Sequence, residues 1–172
     1  MKYLILLFVI DFKHMKTATL KQLKSELEFQ DAKKLSELLI RLVKYKKENK
    51  ELLTYLLFEK DDEHNYINEV RLLIDNDFDK LNSISFYLAK KTIRKALRTT
   101  NKYIKYSGNK QTEIELLIYF LQKLKNSDLD IQNSKVIENM YFRQLEKIHN
   151  VLKALHEDLQ YDYKEEIENL EL

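Results

Sequence analysis

The chain contains one glycine and no proline in 172 residues, and this shortage constrains its fold more than any other sequence feature. Proline pre-sets φ in turns, and glycine adopts positive φ at little energetic cost. Sheets built from tight hairpins depend on both residues. We therefore expect an all-α protein whose helices are separated by short breaks rich in Asn, Asp, Ser and Lys.

Length and composition predict a single domain with its own core. The chain is 44% hydrophobic and 34% charged, as expected for amphipathic helices around a buried interior. It has no cysteine, which excludes disulfides, thiolate metal sites and a cysteine nucleophile. This composition fits a reducing compartment, and we expect a cytoplasmic protein that does not associate with membranes.

The amino terminus carries seven consecutive apolar residues, Leu4 to Ile10. Seven residues are too few to span a bilayer, which requires about 20. We expect residues 1–14 to be an apolar extension upstream of a true start at Met15. A signal peptide is the alternative, although its positively charged region would be thin and no small-residue cleavage site follows. The remaining chain is then a helical domain over 15–160 and an acidic tail over 161–172.

Apolar spacing divides the chain into helices. Thr17 or Thr19 is expected to cap a first helix, Asp31 a second, and Gly108 to end a basic helix that starts near Asp79 or Ser83. An almost wholly apolar helix over 114–121 is the expected centre of the core. A last long helix is expected over 134–159.

Two all-α architectures fit this pattern. Successive helices of about 12–16 residues with short polar breaks over residues 17–125 resemble an irregular right-handed α-solenoid of the HEAT or armadillo kind. A compact helical bundle of about six to seven helices is the alternative.

Charge is strongly segregated along the chain. Residues 80–112 carry nine Lys and Arg and no Asp or Glu, whereas residues 59–79 carry eight acidic and two basic side chains. Residues 113–172 are also acidic, with 13 acidic and seven basic side chains. The basic block is therefore the main candidate for a functional surface.

Six cations of this block fall on one side of a helix at 100° per residue. These candidate partner- or phosphate-binding residues are Lys91, Arg94, Lys95, Arg98, Lys102 and Lys105. Like charges four residues apart destabilise a helix by a few tenths of a kcal/mol per pair, so an acidic group is expected to face them.

Three sources of that acidic group remain open. An acidic protein partner is one, and a nucleic-acid backbone, with Tyr87, Tyr103 and Tyr106 as stacking rings, is another. The third is internal pairing with the 59–79 block or the acidic tail. The balanced net charge of +2 counts against a dedicated nucleic-acid binder.

The acidic and histidine motifs do not predict a metal site. Asp75, Asp77 and Asp79 have calcium-loop spacing, but Lys80 and Phe86 stand where such a loop needs Gly and Glu. The run Asp61 to His64 is typical of a helix start. His149 and His156 lie two helical turns apart, too far to share one zinc ion.

The sequence therefore predicts a non-enzymatic helical binding or scaffold module with no cofactor and no metal, which holds an acidic protein partner through a charge-segregated surface. Nucleic-acid binding through the basic helix over 90–105 is the first alternative. An enzyme whose site is assembled only in three dimensions is the second.

Overall fold

The computed structural model describes residues 16–172 of the chain. The expectations for Leu4 to Ile10 and for a start at Met15 fall outside these residues and remain predictions.

The described residues are all-α, as the sequence predicts, with eight α-helices and no strand. The helices are α1 Leu20–Glu28, α2 Ala32–Tyr45, α3 Lys47–Thr54, α4 Glu63–Phe78, α5 Phe86–Ser107, α6 Lys110–Lys125, α7 Lys135–Leu152 and α8 Glu157–Glu168. A π-helical turn, Tyr55–Glu59, follows α3 directly.

Helix ends follow the capping chemistry of the sequence. Thr19 and Gln22 form a capping box at the start of α1, and the Asp31 carboxylate accepts the Lys34 N–H at the start of α2. Gly108 has φ 66°, the left-handed conformation that ends α5. These local signals account for where the first two helices begin and where the basic helix stops.

The basic helix begins later than either position expected from the sequence. Its first residue is Phe86 and its cap is Ser85, whereas Asp79 is the C-terminal cap of α4. The Asn82 side chain accepts the N–H groups of Ile84 and Ser85, which holds this stretch as a turn. Because of this turn, α5 begins only at Phe86.

The long helix expected over 134–159 is instead two helices, α7 and α8. The chain leaves α7 after Leu152, and the His156 side chain caps α8 by accepting the Asp158 N–H. In α8 and just beyond it, Tyr163, Ile167 and Leu170 are buried, so the acidic segment over 161–172 contributes apolar side chains to the core. The boundaries 15–160 and 161–172 themselves remain predictions.

The chain divides into two compact units at residues 49 and 50. In the first unit, α1 and α2 have no buried side chain. The second unit holds a core of 28 buried apolar residues between Tyr55 and Leu170.

Helix α6 is the centre of the second unit. It packs against α4, α5 and α7, and buries nine of its 16 residues. This is the apolar helix that the sequence predicts at the centre, and the arrangement fits the compact-bundle alternative. Within residues 16–172 no helix is both long enough and apolar enough to cross a membrane.

Candidate functional site

Helix α5 is amphipathic because its small and apolar residues recur on one face. Ala89, Ile93, Ala96, Thr100 and Ile104 are buried in the core of the second unit. The basic side chains lie on the other face, as predicted. The core therefore fixes which way the cations point.

Two of the six candidate cations are paired within the second unit. Lys95 donates to Asp77 of α4, and Lys102 donates to Glu51 of α3 at 2.9 Å. Burial alone would lower the pKa of Lys102, but the hydrogen bond to Glu51, the charge of Glu51 and the interactions with Tyr103 together outweigh it, and the pKa is raised. Lys95 therefore pairs with the 59–79 block, whereas Lys102 pairs with Glu51, which belongs to neither the 59–79 block nor the acidic tail.

The other four cations have no carboxylate partner among residues 16–172. They are the exposed side chains Lys91, Arg94, Arg98 and Lys105, which we call the cationic stripe. At 100° per residue they share an arc of about 60°, opposite the buried face, and extend about 21 Å along α5. The structure thus separates the predicted site into a paired flank and an unpaired stripe.

The cations of the stripe repel one another along α5. Arg94 and Arg98 are four residues apart, and Lys91 lies three residues before Arg94. Each such like-charge contact costs a helix about 0.2–0.5 kcal/mol. An acidic ligand on this surface would remove the repulsion, so the stripe favours negatively charged partners.

Of the three tyrosines expected to stack on bases, only Tyr87 is available. It is 75% exposed and lies on the same arc as the cationic stripe. Tyr106 is buried and donates to Glu51, while the Tyr103 ring packs edge-on against Tyr66 and Tyr106. Two of the three rings therefore belong to the internal packing of the second unit.

The acidic residues of the 59–79 block also serve the fold. Asp75 accepts hydrogen bonds from the Tyr119 hydroxyl and pairs with Lys123 at 2.8 Å. Asp77 accepts from Lys95 and Thr99. Two of the three aspartates of the calcium-like spacing thus turn to different helices, Asp75 to α6 and Asp77 to α5.

The run over 61–64 forms the start of α4, as predicted. Asp62 caps the helix by accepting the Asn65 N–H. The Glu63 carboxylate accepts hydrogen bonds from the hydroxyl groups of Tyr55, Ser107 and Thr112. Among residues 16–172, no three His, Asp or Glu side chains are grouped so that they could hold a metal ion.

Sequence reasoning missed a polar network between α4, α6 and α8. Arg71 pairs with Glu115 at 3.2 Å and stacks on the Tyr119 ring, and Tyr163 donates to Glu115 at 3.0 Å. Burial raises the pKa of Tyr119 and of Tyr163 to about 12. Neutral phenols that donate to carboxylates are ill suited as bases near pH 7, so we interpret the network as structural.

A second missed cluster surrounds Glu113, which is 9% exposed at the start of α6. Lys110 and Lys147 donate to its two oxygens at 2.7 and 2.9 Å. Burial alone would raise the pKa of Glu113, but the hydrogen bonds from these two lysines and their positive charges together lower it. Lys110 is three residues away and could be paired from sequence, whereas Lys147 reaches Glu113 only through the packing of α6 against α7.

Comparison of the chain with known protein families, curated proteins and solved structures finds no match.

Proposed function

We propose that this protein is a non-enzymatic helical binding or scaffold module that holds an acidic protein partner on the cationic stripe of α5. The observation that carries the proposal is the contrast along one helix. Lys95 and Lys102 have carboxylate partners, whereas the four stripe cations are exposed and have none among the described residues.

Apolar side chains beside the cationic stripe favour an acidic protein over a nucleic-acid backbone as the partner. Ile84 is 95% exposed just before α5, and the exposed Tyr87 ring stands at the start of the stripe. An acidic segment with one or two apolar anchors would use both features, because interfaces combine a desolvated apolar centre with charged rims. We therefore expect the partner to present carboxylates next to a large apolar side chain.

Nucleic acid is the second candidate, and the position of Tyr87 in line with the cations favours it. Bases stack on exposed aromatic rings while Lys and Arg contact phosphates. With Tyr103 and Tyr106 packed in the fold, this candidate has one stacking ring and four cations. We rank it below the acidic protein for that reason.

Charge reversal on the stripe separates these candidates. The test variant is the triple K91E/R94E/R98E, and the matched control is K135E/R143E/K153E, which reverses two exposed cations of α7 and the exposed Lys153 that caps its C-terminal end. Both triples change the net charge by the same amount. The probes are a labelled 20-residue peptide rich in Glu with two Leu anchors, and a 20-nucleotide single strand.

We expect the parent and the α7 control to bind the acidic peptide, and the stripe triple to remain folded and lose binding. Tighter binding of the oligonucleotide than of the peptide would favour nucleic acid, with a log–log salt slope that falls by about 0.7–0.9 for each lost contact. Equal binding of both the peptide and the oligonucleotide by the two triples would refute a stripe-based site of either kind.

A further inference from the structure

We propose that the first compact unit is a docking site for an amphipathic helix of another protein, one whose apolar stripe is flanked by acidic side chains. This site is formed by α1 and α2 and shares no residue with the cationic stripe.

An open apolar groove of about 640 Å³ lies between α1 and α2. Its apolar lining consists of Leu23, Leu27, Leu38, Leu42 and Tyr45, and its charged lining consists of Arg41 and Lys44. The groove thus combines an apolar floor with two cations.

The residues of this groove remain accessible to solvent. Neither α1 nor α2 buries a side chain, and Leu42 and Tyr45 are 55% and 77% exposed. Helices of nine and 14 residues are marginally stable by themselves and rely on packing of an apolar face. A contiguous exposed apolar surface of this kind marks an interaction site.

The spacing of the lining residues fits a helical occupant. Leu38, Leu42 and Tyr45 follow the i, i+4, i+7 spacing of one helix face, and Leu23 and Leu27 are one turn apart on α1. Helical ligands place anchors at i, i+3 or i+4, and i+7 into grooves lined in this way. The groove is therefore suited to side chains from about two turns of a third helix.

The charges of the groove select the kind of helix. Residues 16–49 carry nine Lys and Arg against five Asp and Glu, and both charged lining residues are cations. A second copy of the chain would bring the same cations against Arg41 and Lys44, and like charges at an interface are unfavourable. The chain's own acidic helix α8 has its apolar face buried in the second unit. An acidic helix from another protein meets both the apolar and the electrostatic requirement.

The experiment uses the full-length protein and two labelled 18-residue helical peptides. Both peptides place Leu at i, i+3, i+4 and i+7, and one carries Glu on the flanks whereas the other carries Lys. Fluorescence anisotropy should show saturable binding of the Glu-flanked peptide, at least tenfold tighter than that of the Lys-flanked peptide. Added salt should weaken this preference.

Variants locate the binding in the groove. We expect L27S and L42S to weaken binding at least fivefold, whereas L20S and F29S, which alter exposed apolar residues outside the lining, should bind like the parent. Loss of binding in L27S or L42S could also result from unfolding of α1 or α2. The decisive variant is therefore the charge-reversed R41E/K44E. It should prefer the Lys-flanked peptide, and lost folding would not produce such an inversion.

Separate controls keep this proposal distinct from the function proposed for α5. K91E/R94E/R98E removes any binding of this peptide to the cationic stripe, so the binding that remains should still be weakened at least fivefold by L42S. Complete loss of binding in K91E/R94E/R98E would assign the peptide to the cationic stripe and overturn the groove. Equal affinity for both peptides, or no binding of either, would also overturn it. A protein that dimerises in sedimentation experiments through Leu42 would identify a second copy as the occupant. Tighter binding of the Glu-flanked peptide by the L7D variant would identify residues 4–10 of the same chain as the occupant of the groove.

Discussion

At the scale of single residues, Gly108 is required for its backbone conformation and not for lack of space around it. Its φ of 66° is the one positive φ among the described residues, and a β-carbon built at this position meets no atom within 4 Å. Any cost of replacing it therefore arises from the backbone alone.

We expect Gly108→Ala to lower the free energy of unfolding by about 1 kcal/mol, because an L-residue is strained in the left-handed region. Gly108→Asn should cost less, since Asn tolerates this conformation. Urea unfolding of both variants measures the difference. Equal stability of all three proteins would show that the cap does not constrain the end of α5.

Glu113 is a charged residue whose contribution should depend on pH. Its pKa is lowered from an ordinary value of 4.5, so the ionised form is favoured in the folded protein. A depressed folded pKa stabilises the protein above the unfolded pKa, and this stability is lost as the pH falls through the folded pKa.

We expect Glu113→Gln to lower stability at pH 7 by about 1 kcal/mol, a modest figure because Lys110 and Lys147 are partly exposed. The difference from the parent should shrink as the pH falls below about 4.5. Denaturant unfolding across pH 3–7 tests this, with the exposed Glu165→Gln as the control. A stability difference that does not change over that range would contradict the assignment.

At the scale of the element, α5 contains two kinds of cation on one helix. Lys95 is tied to a buried aspartate, whereas Arg94, its neighbour in sequence, has no carboxylate partner within residues 16–172. Adjacent residues of the same charge should therefore respond in opposite ways to the same substitution.

We expect Arg94→Glu to raise stability by about 0.3–0.5 kcal/mol, because a repulsive i, i+4 contact with Arg98 becomes attractive. Lys95→Glu should lower stability by about 1 kcal/mol or more, since it places a carboxylate beside the buried Asp77. Thermal and urea unfolding at low and moderate salt measure both effects. Destabilisation by Arg94→Glu would mean that the stripe cation has an internal role.

At the scale of the whole molecule, the 28 buried apolar residues found among residues 16–172 all lie between residues 55 and 170. The aromatic groups Tyr119, Tyr141 and Tyr163 lie within or against this core, and burial raises the pKa of each to about 12. The second unit should therefore control the main unfolding transition.

We expect a protein beginning at Met15 to unfold cooperatively, with a Tm within about 4 °C of the full-length value, because this core is left intact. Differential scanning calorimetry of both proteins provides the comparison. A much lower Tm for the shorter protein would show that residues 1–14 contribute to the core, and the predicted extension would then be wrong.

Alkaline unfolding should also report on the second unit. Because the folded pKa of these tyrosines is raised, their stabilising effect is complete below the ordinary value of 10.0 and is lost as the pH rises toward 12. We expect Tyr119→Phe to flatten the loss of stability above pH 10, as followed by circular dichroism, relative to Tyr161→Phe at an exposed site. Identical alkaline transitions for the two variants would contradict this role.

The sequence by itself determined the features that depend on neighbours three or four residues apart. These include the all-α class, the cap at Asp31, the stop at Gly108, and the face of α5 that carries charge. For the first helix the sequence left Thr17 and Thr19 open, and the structure places the cap at Thr19. Helical periodicity and capping are local, so they can be read from the order of residues alone.

Only the tertiary structure decided which cations are paired and which surfaces stay open. Lys102 meets Glu51 across 51 residues of sequence, and Arg71 meets Glu115 across 44. No local pattern encodes such contacts, because they depend on how whole helices pack. For the same reason the sequence does not distinguish Lys102 from Lys105. In the structure Lys102 pairs with Glu51, whereas Lys105 is exposed on the cationic stripe.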